Sequence, residues 1–205
     1  MDVVCYEGDG SNRQLVHSLG KSAEMVWIKN RSDDKNMLVG SSALTNWGHY
    51  MHLTNTDGES SASSRFNSTA PTATHFTVGT NAECNNDGDN YVALLFASVS
   101  GISSVGSYSG NGQTGSSGTF VTTGFQPRFL ILKRFSGHGQ DWLVYDSLRG
   151  FGTVGGNAPT LYLNENYASA NSATQVEVSS TGFRLVSDNI FSNGSGSDYL
   201  YYAHA

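Results

Sequence analysis

The sequence predicts an all-β protein: two tandem antiparallel β-sandwich or jelly-roll-like domains related by an internal duplication. Three observations point there. The apolar residues come in short runs and not in helical stripes. Clusters of Gly, Asn, Asp and Ser separate the runs, as turns separate strands. The runs also recur in the same order about a hundred residues further on.

Each copy opens on a Tyr-x-Gly-x-Gly turn, Tyr6 to Gly10 and then Tyr108 to Gly112. A buried-type strand follows, Met25-Val26-Trp27-Ile28 closed by Lys29, matched by Phe129-Leu130-Ile131-Leu132 closed by Lys133. MLVGSS (37–42) corresponds to WLVYDS (142–147), and Tyr50 to Leu53 corresponds to Thr160 to Leu163. Phe76-Thr77-Val78 matches Phe183-Arg184-Leu185, and Asn90-Tyr91-Val92 matches Asp198-Tyr199-Leu200. The offset drifts, as it does when loops vary and core strands do not. Each copy is domain-sized. The expected boundaries are 1–100 and 107–205, joined by a short linker at 101–106. Roughly seven or eight short strands per copy fit a sandwich or jelly-roll, with little helix.

The last strand of the first copy, YVALLFASV (91–99), is apolar on both faces. Tyr91, Ala93, Leu95, Ala97 and Val99 share one; Val92, Leu94, Phe96 and Ser98 share the other. A strand wetted on one side alternates with polar residues. This one is therefore expected to be covered twice, with Val92, Leu94 and Phe96 forming an assembly face. A linker this short and this sparsely polar predicts that the copies pack together.

Composition narrows the function. The chain has 205 residues, 14% charged and 38% hydrophobic, with 24 Gly and 3 Pro, a profile that suits an extracellular-type β protein. A net charge of −6 gives nothing to attract nucleic acid phosphates or acidic lipid. No apolar run is long enough for a membrane-spanning helix. The opening MDVVCYEGDG lacks the basic and apolar regions of a signal peptide. Cys5 and Cys84 are not repeated, since Ser107 and Ser192 stand at the matching places. Two cysteines are too few for a disulfide scaffold, so free thiols are expected, with a Cys5–Cys84 bridge as the alternative.

No cofactor or catalytic motif stands out. GNGQTG (110–115) has the spacing of a dinucleotide loop but is followed by a turn and a strand, not a helix. Asp87 and Asp89, in NNDGDN (85–90), are candidate calcium ligands. The same residues build a tight turn, and the second copy reads NGSGSD, so a turn is preferred. The histidines show no metal spacing. Asp141, Asp146, Glu165 and Glu177 could supply a glycosidase pair, but nothing in the spacing selects one. Trp27 and Trp142 start or sit within apolar runs and read as core. Trp47, in a Gly-rich loop, and Tyr167 are the candidate glycan contacts. Sequons at Asn30, Asn67 and Asn193 are read as coincidental.

The recurring pattern resembles repeat domains of tail-fibre and other virion structural proteins of marine phages. The residues that carry the likeness are Tyr108-Ser109-Gly110-Asn111-Gly112, Gly124-Phe125-Gln126-Pro127, Lys133-Arg134, Trp142 to Arg149 (WLVYDSLR), Leu161-Tyr162-Leu163-Asn164 and Gly182-Phe183-Arg184-Leu185. The first copy departs, with MLVGSSALT in place of WLVYDSLRG. The resemblance implies a non-enzymatic protein of the virion exterior, either a capsid decoration (cement) protein or a tail-fibre or appendage component. Its expected partners are other virion subunits and further copies of itself, with no cofactor. The alternative is a glycan-binding module for host-surface recognition.

Overall fold

The structure of the chain, a computed structural model, describes residues 1–151, 159–168 and 175–205. It is almost entirely β. In chain order the strands are β1 (Asp2–Glu7), β2 (Arg13–Val16), β3 (Met25–Asn30), β4 (Leu38–Ser41), β5 (His49–His52), β6 (Ser60–Ser61), β7 (His75–Val78) and β8 (Asn90–Phe96). They continue with β9 (Ser103–Ser109), β10 (Phe120–Thr122), β11 (Phe129–Arg134), β12 (Leu143–Asp146), β13 (Leu161–Tyr162), β14 (Val176–Ser179), β15 (Gly182–Leu185) and β16 (Asp198–His204). The described helix is a single turn, α1 (Ser63–Phe66), with two 3-10 turns elsewhere. None of the described helices is long and apolar enough to cross a membrane.

The chain divides into two compact units. One comprises Met1–Thr54 and Glu59–Ala97; the other comprises Asn55–Gly58 and Ser98–Ala205. In the first, an antiparallel sheet ordered β1-β8-β3-β4-β5-β6 faces a two-stranded sheet β2-β7. The core lies between them. Val26, Ile28, Leu38, Tyr91, Ala93 and Leu95 enter from the large sheet, and Phe76 and Val78 from the small one. The alternation of β3 and β8 explains this: residues two apart share a face. Gly40 in β4 leaves room for the Phe66 ring, which an added Cβ would meet at 2.5 Å.

The second unit has a sheet ordered β13-β12-β11-β16-β9 and a small sheet β10-β15-β14. Leu130, Leu132, Leu143, Tyr145, Tyr201 and Ala203 meet Val121, Val176, Phe183 and Leu185. Read outward from β9, the large sheet runs β9-β16-β11-β12-β13, the same connectivity as β1-β8-β3-β4-β5 in the first unit.

One polar lock occurs in both units. Tyr6 stacks on Tyr91 at 5.1 Å and 13°, and Tyr108 stacks on Tyr199 at 5.0 Å and 12°. Buried Asn85 donates through its amide to the Ser11 and Gly79 carbonyls, and buried Asn193 donates to the Gln113 carbonyl. Gly8 and Gly110 pass so close to the facing loop that a Cβ would strike the Asn86 oxygen at 1.9 Å or the Gly194 oxygen at 2.5 Å.

Two expectations need correction. Residues 103–106, read as linker, are the first part of β9, because Ser103 pairs back onto Val99 and the strand then runs along β16. The strand expected over 91–99 ends at Phe96. Val99 is exposed and belongs to the turn that reverses the chain.

Candidate functional site

Both large sheets end on a long strand with one side open, β1 in the first unit and β9 in the second. Antiparallel pairing makes alternate residues turn their backbone groups inward and outward. Gly8 N–H donates to the Asp89 carbonyl, so in β1 the backbone groups of Asp2, Val4 and Tyr6 face β8. Those of Val3, Cys5 and Glu7 face outward, and all three residues are exposed. In β9, Gly110 N–H donates to the Ser197 carbonyl, so Val105, Ser107 and Ser109 face outward.

Part of each edge is already capped. The Val3 N–H donates to its neighbour's carboxylate, Asp2 Oδ1, at 2.8 Å, and the Glu7 carbonyl accepts from Arg13 Nη2. In β9 the Val105 N–H donates to Ser98 Oγ at 3.0 Å, and the Ser109 carbonyl accepts from Thr119 Oγ1 at 3.4 Å. Side-chain capping of this kind blunts an edge that would otherwise invite another strand. The groups left without an intramolecular partner among the described residues are the carbonyl of Val3, both groups of Cys5 and the N–H of Glu7. The same positions of β9, Val105, Ser107 and Ser109, are left in the same way.

The β1 edge carries apolar surface as well. Val3 is 51% exposed and Val16 66%. Residues 2–5 and 16–18 line a shallow cleft of about 370 Å³ between them. Asp2 closes its floor by accepting from Ser18 N–H at 2.6 Å and Ser18 Oγ at 3.0 Å. The Ser18 amide is the main reason its carboxyl lies below the usual range; burial acts upward, and the Ser18 hydroxyl and Val3 amide add to the lowering. Cys5 is an exposed free thiol. Cys84 is also a free thiol, buried in the core, and burial pushes its pKa up to about 11; the two cysteines are not bridged in the structure.

The sequence-derived candidates fall as follows. Val92 and Leu94 are half-exposed on β8, while Phe96 is buried with its ring 4.9 Å from that of Trp27. Trp47 is not the exposed platform expected for a glycan: it is 8% exposed and packs edge-on against Phe66 at 5.6 Å, because its loop folds over the core. Tyr167 is exposed, in the other unit. Asp87 is exposed, and Asp89 Oδ2 accepts from the amides of Asn30 and Asn86 at 2.9 and 3.0 Å. Among the described residues no group of three or more His, Cys, Asp or Glu could hold a metal ion. Asp141 and Glu165 are brought together by Asn164, whose amide donates to them at 2.7 and 3.3 Å. Asp146 caps a 3-10 turn and pairs with Arg149.

Some features gave no signal in the sequence. Glu83 accepts from Arg65 at 2.9 Å and meets His52 Nε2 at 2.9 Å, and Arg65 lies 4.0 Å over the Tyr50 ring. These residues come from β5, α1 and the loop before β8, so only the fold unites them. Lys133 is fully buried, donates to the Gln140 carbonyl and sits 5.8 Å from the Trp142 ring. Asn55–Gly58 lies along the loop after β11: Gly139 N–H donates to the Thr56 carbonyl at 3.0 Å.

Neither curated proteins nor solved structures give a match. Across its full length, residues 1–205, the chain belongs to the family described as Domain of unknown function (DUF7483).

Proposed function

We propose that this chain is a non-enzymatic structural protein of a phage particle's exterior, built from two tandem repeats and working by assembly with other subunits. The observation that carries the reading is the open β1 edge, with unpaired backbone groups beside exposed Val3 and Val16. An edge of this kind is a template for pairing with another chain. The likeness of the second repeat's motifs to virion repeat domains supplies the particle. Decoration of a capsid is preferred over a fibre, because each repeat is a compact sandwich with no stalk among the described residues. The glycan-binding alternative relied on Trp47 and Tyr167; Trp47 is buried, which leaves Tyr167 as the one exposed aromatic of the pair and not a platform.

The test is immunogold labelling and protein mass spectrometry of gradient-purified particles from cultures expressing this chain. Label on the particle exterior at stoichiometric copy number is expected. Particles that are complete and free of the protein would overturn the reading.

A further inference from the structure

We propose that the β1 edge pairs with the β1 edge of a second copy, antiparallel and centred on Cys5. The proposal rests on the assembly reading and names the partner of that surface.

The argument is the pattern of free and capped backbone groups. A β1 edge offers the Val3 carbonyl, both groups of Cys5 and the Glu7 N–H, while the Val3 N–H and the Glu7 carbonyl are taken. An arbitrary strand laid alongside would present an N–H and a carbonyl at every outward residue, and two of them would meet capped groups. A second β1 laid antiparallel matches the pattern. Its Glu7 N–H reaches the Val3 carbonyl, its Val3 carbonyl accepts from the Glu7 N–H, and the two Cys5 residues exchange both bonds. The withheld groups then face each other, each already satisfied by Asp2 or Arg13.

Side-chain charge agrees with this register. Val3 stands opposite the partner's Glu7 and Asp2 opposite the partner's Gly8, so no two carboxylates oppose directly. The one-residue slip that would set Asp2 against Glu7 also turns outward groups against inward ones. The pairing is isologous, the commonest closed arrangement. It extends the large sheet of the first unit across the two-fold axis. β9 has the same free pattern, but its outward residues are half-exposed Val105 and the exposed, polar Ser107 and Ser109. β1 brings exposed Val3 and Val16 and the cleft beside them.

The centred register places the two Cys5 residues directly opposite, with Cα atoms about 5.5 Å apart. That lies within the range a disulfide spans. Each Cys5 is an exposed free thiol and Cys84 is buried, so a mild oxidant joins chains through Cys5, and fastest where the two are held opposite.

The test uses the full chain. Sedimentation across the micromolar to millimolar range is expected to show a monomer–dimer equilibrium. Copper-phenanthroline is expected to convert the dimer to a covalent species, two thiols giving up their hydrogens to the oxidant, and Cys5→Ser to abolish the cross-link while keeping the non-covalent dimer. Cys5→Pro removes only an outward N–H, which edge strands tolerate, and is expected to be monomeric with its fold intact. Should Cys5→Pro misfold, hydrogen exchange on the unmodified chain decides. The Cys5 and Glu7 amides are expected to gain roughly tenfold protection or more with concentration, the factor for about 1.4 kcal/mol, while the capped Val3 amide does not change. A chain that stays monomeric throughout overturns the pairing, as does a dimer without the Cys5 cross-link, which would point to β9 instead. A monomer that still binds purified particles overturns the self-pairing while leaving the assembly reading standing.

Discussion

The Tyr6 hydroxyl donates to the Cys84 carbonyl at 2.6 Å, and the Tyr108 hydroxyl donates to the Ser192 carbonyl at 2.7 Å. In each unit the bond ties the edge strand of the large sheet, β1 or β9, to the loop that precedes its last strand, β8 or β16. Tyr6→Phe and Tyr108→Phe keep the stacked ring and leave a carbonyl without its donor. Each is expected to lower stability by roughly 1–3 kcal/mol in urea titrations. A neutral effect at both positions would show that the lock is decorative.

Gly58 has no room for a side chain. A Cβ there would stand 2.1 Å from the Gly137 oxygen and 2.6 Å from that of Phe135, both backbone atoms. Gly58→Ala is therefore expected to displace Asn55–Gly58, with a loss of roughly 1–3 kcal/mol. Faster hydrogen exchange at the Gly139 amide, which donates to Thr56, is the specific readout. Unchanged exchange there would contradict the close approach.

Burial pushes the Lys133 pKa down to about 8, with Asp141 and Asp57 acting weakly in the other direction. An unfolded lysine keeps its proton to about 10.4. Between those values the unfolded chain binds more protons than the folded one, so stability rises with pH through the window. The cost of the buried charge is fully present below about pH 8 and fades toward pH 10. Lys133→Met removes the titration. The stability difference between it and the native chain is expected to shift in favour of the native chain from about pH 8 to about pH 10. A difference that stays flat with pH would refute this.

For the Glu83 carboxyl, burial acts upward, and the His52 hydrogen bond with the Arg65 pair outweighs it, leaving the pKa lowered. A lowered carboxyl stabilises the fold above its unfolded pKa of about 4.3 and loses that contribution as pH falls through the folded value. Glu83→Gln is expected to cost about 2 kcal/mol at neutral pH, as for hydrogen bonds to a charged group. The gap to the native chain should close in acid. Equal gaps at neutral and acid pH would place the effect elsewhere.

The strands were legible because their signal is local. Runs such as MVWI and FLIL, bounded by turn formers, name a strand without reference to the rest of the chain. The burial of Trp27 and Trp142 followed from the same runs. Trp47 misled for the complementary reason: a Gly-rich neighbourhood marks a loop but does not say whether the loop folds outward or over the core. The β1 edge could not be read at all. Strand order is a long-range property, and DVVCYE looks the same whether it lies at the centre of a sheet or at its margin. Ser103 and Ser104 hid the start of β9, because pairing with β16 carries the strand back into residues whose composition reads as a linker.

Asn55–Gly58 is flanked in the sequence by residues of the first unit and belongs to the second. The chain therefore passes from one unit to the other at Thr54, returns at Glu59 and leaves again after Ala97. A gene cut between codons 97 and 98 would yield one product with a stray loop and another with a gap. The two units are thus not separable modules: shuffling, swapping or expressing either one alone would carry away a piece of its neighbour.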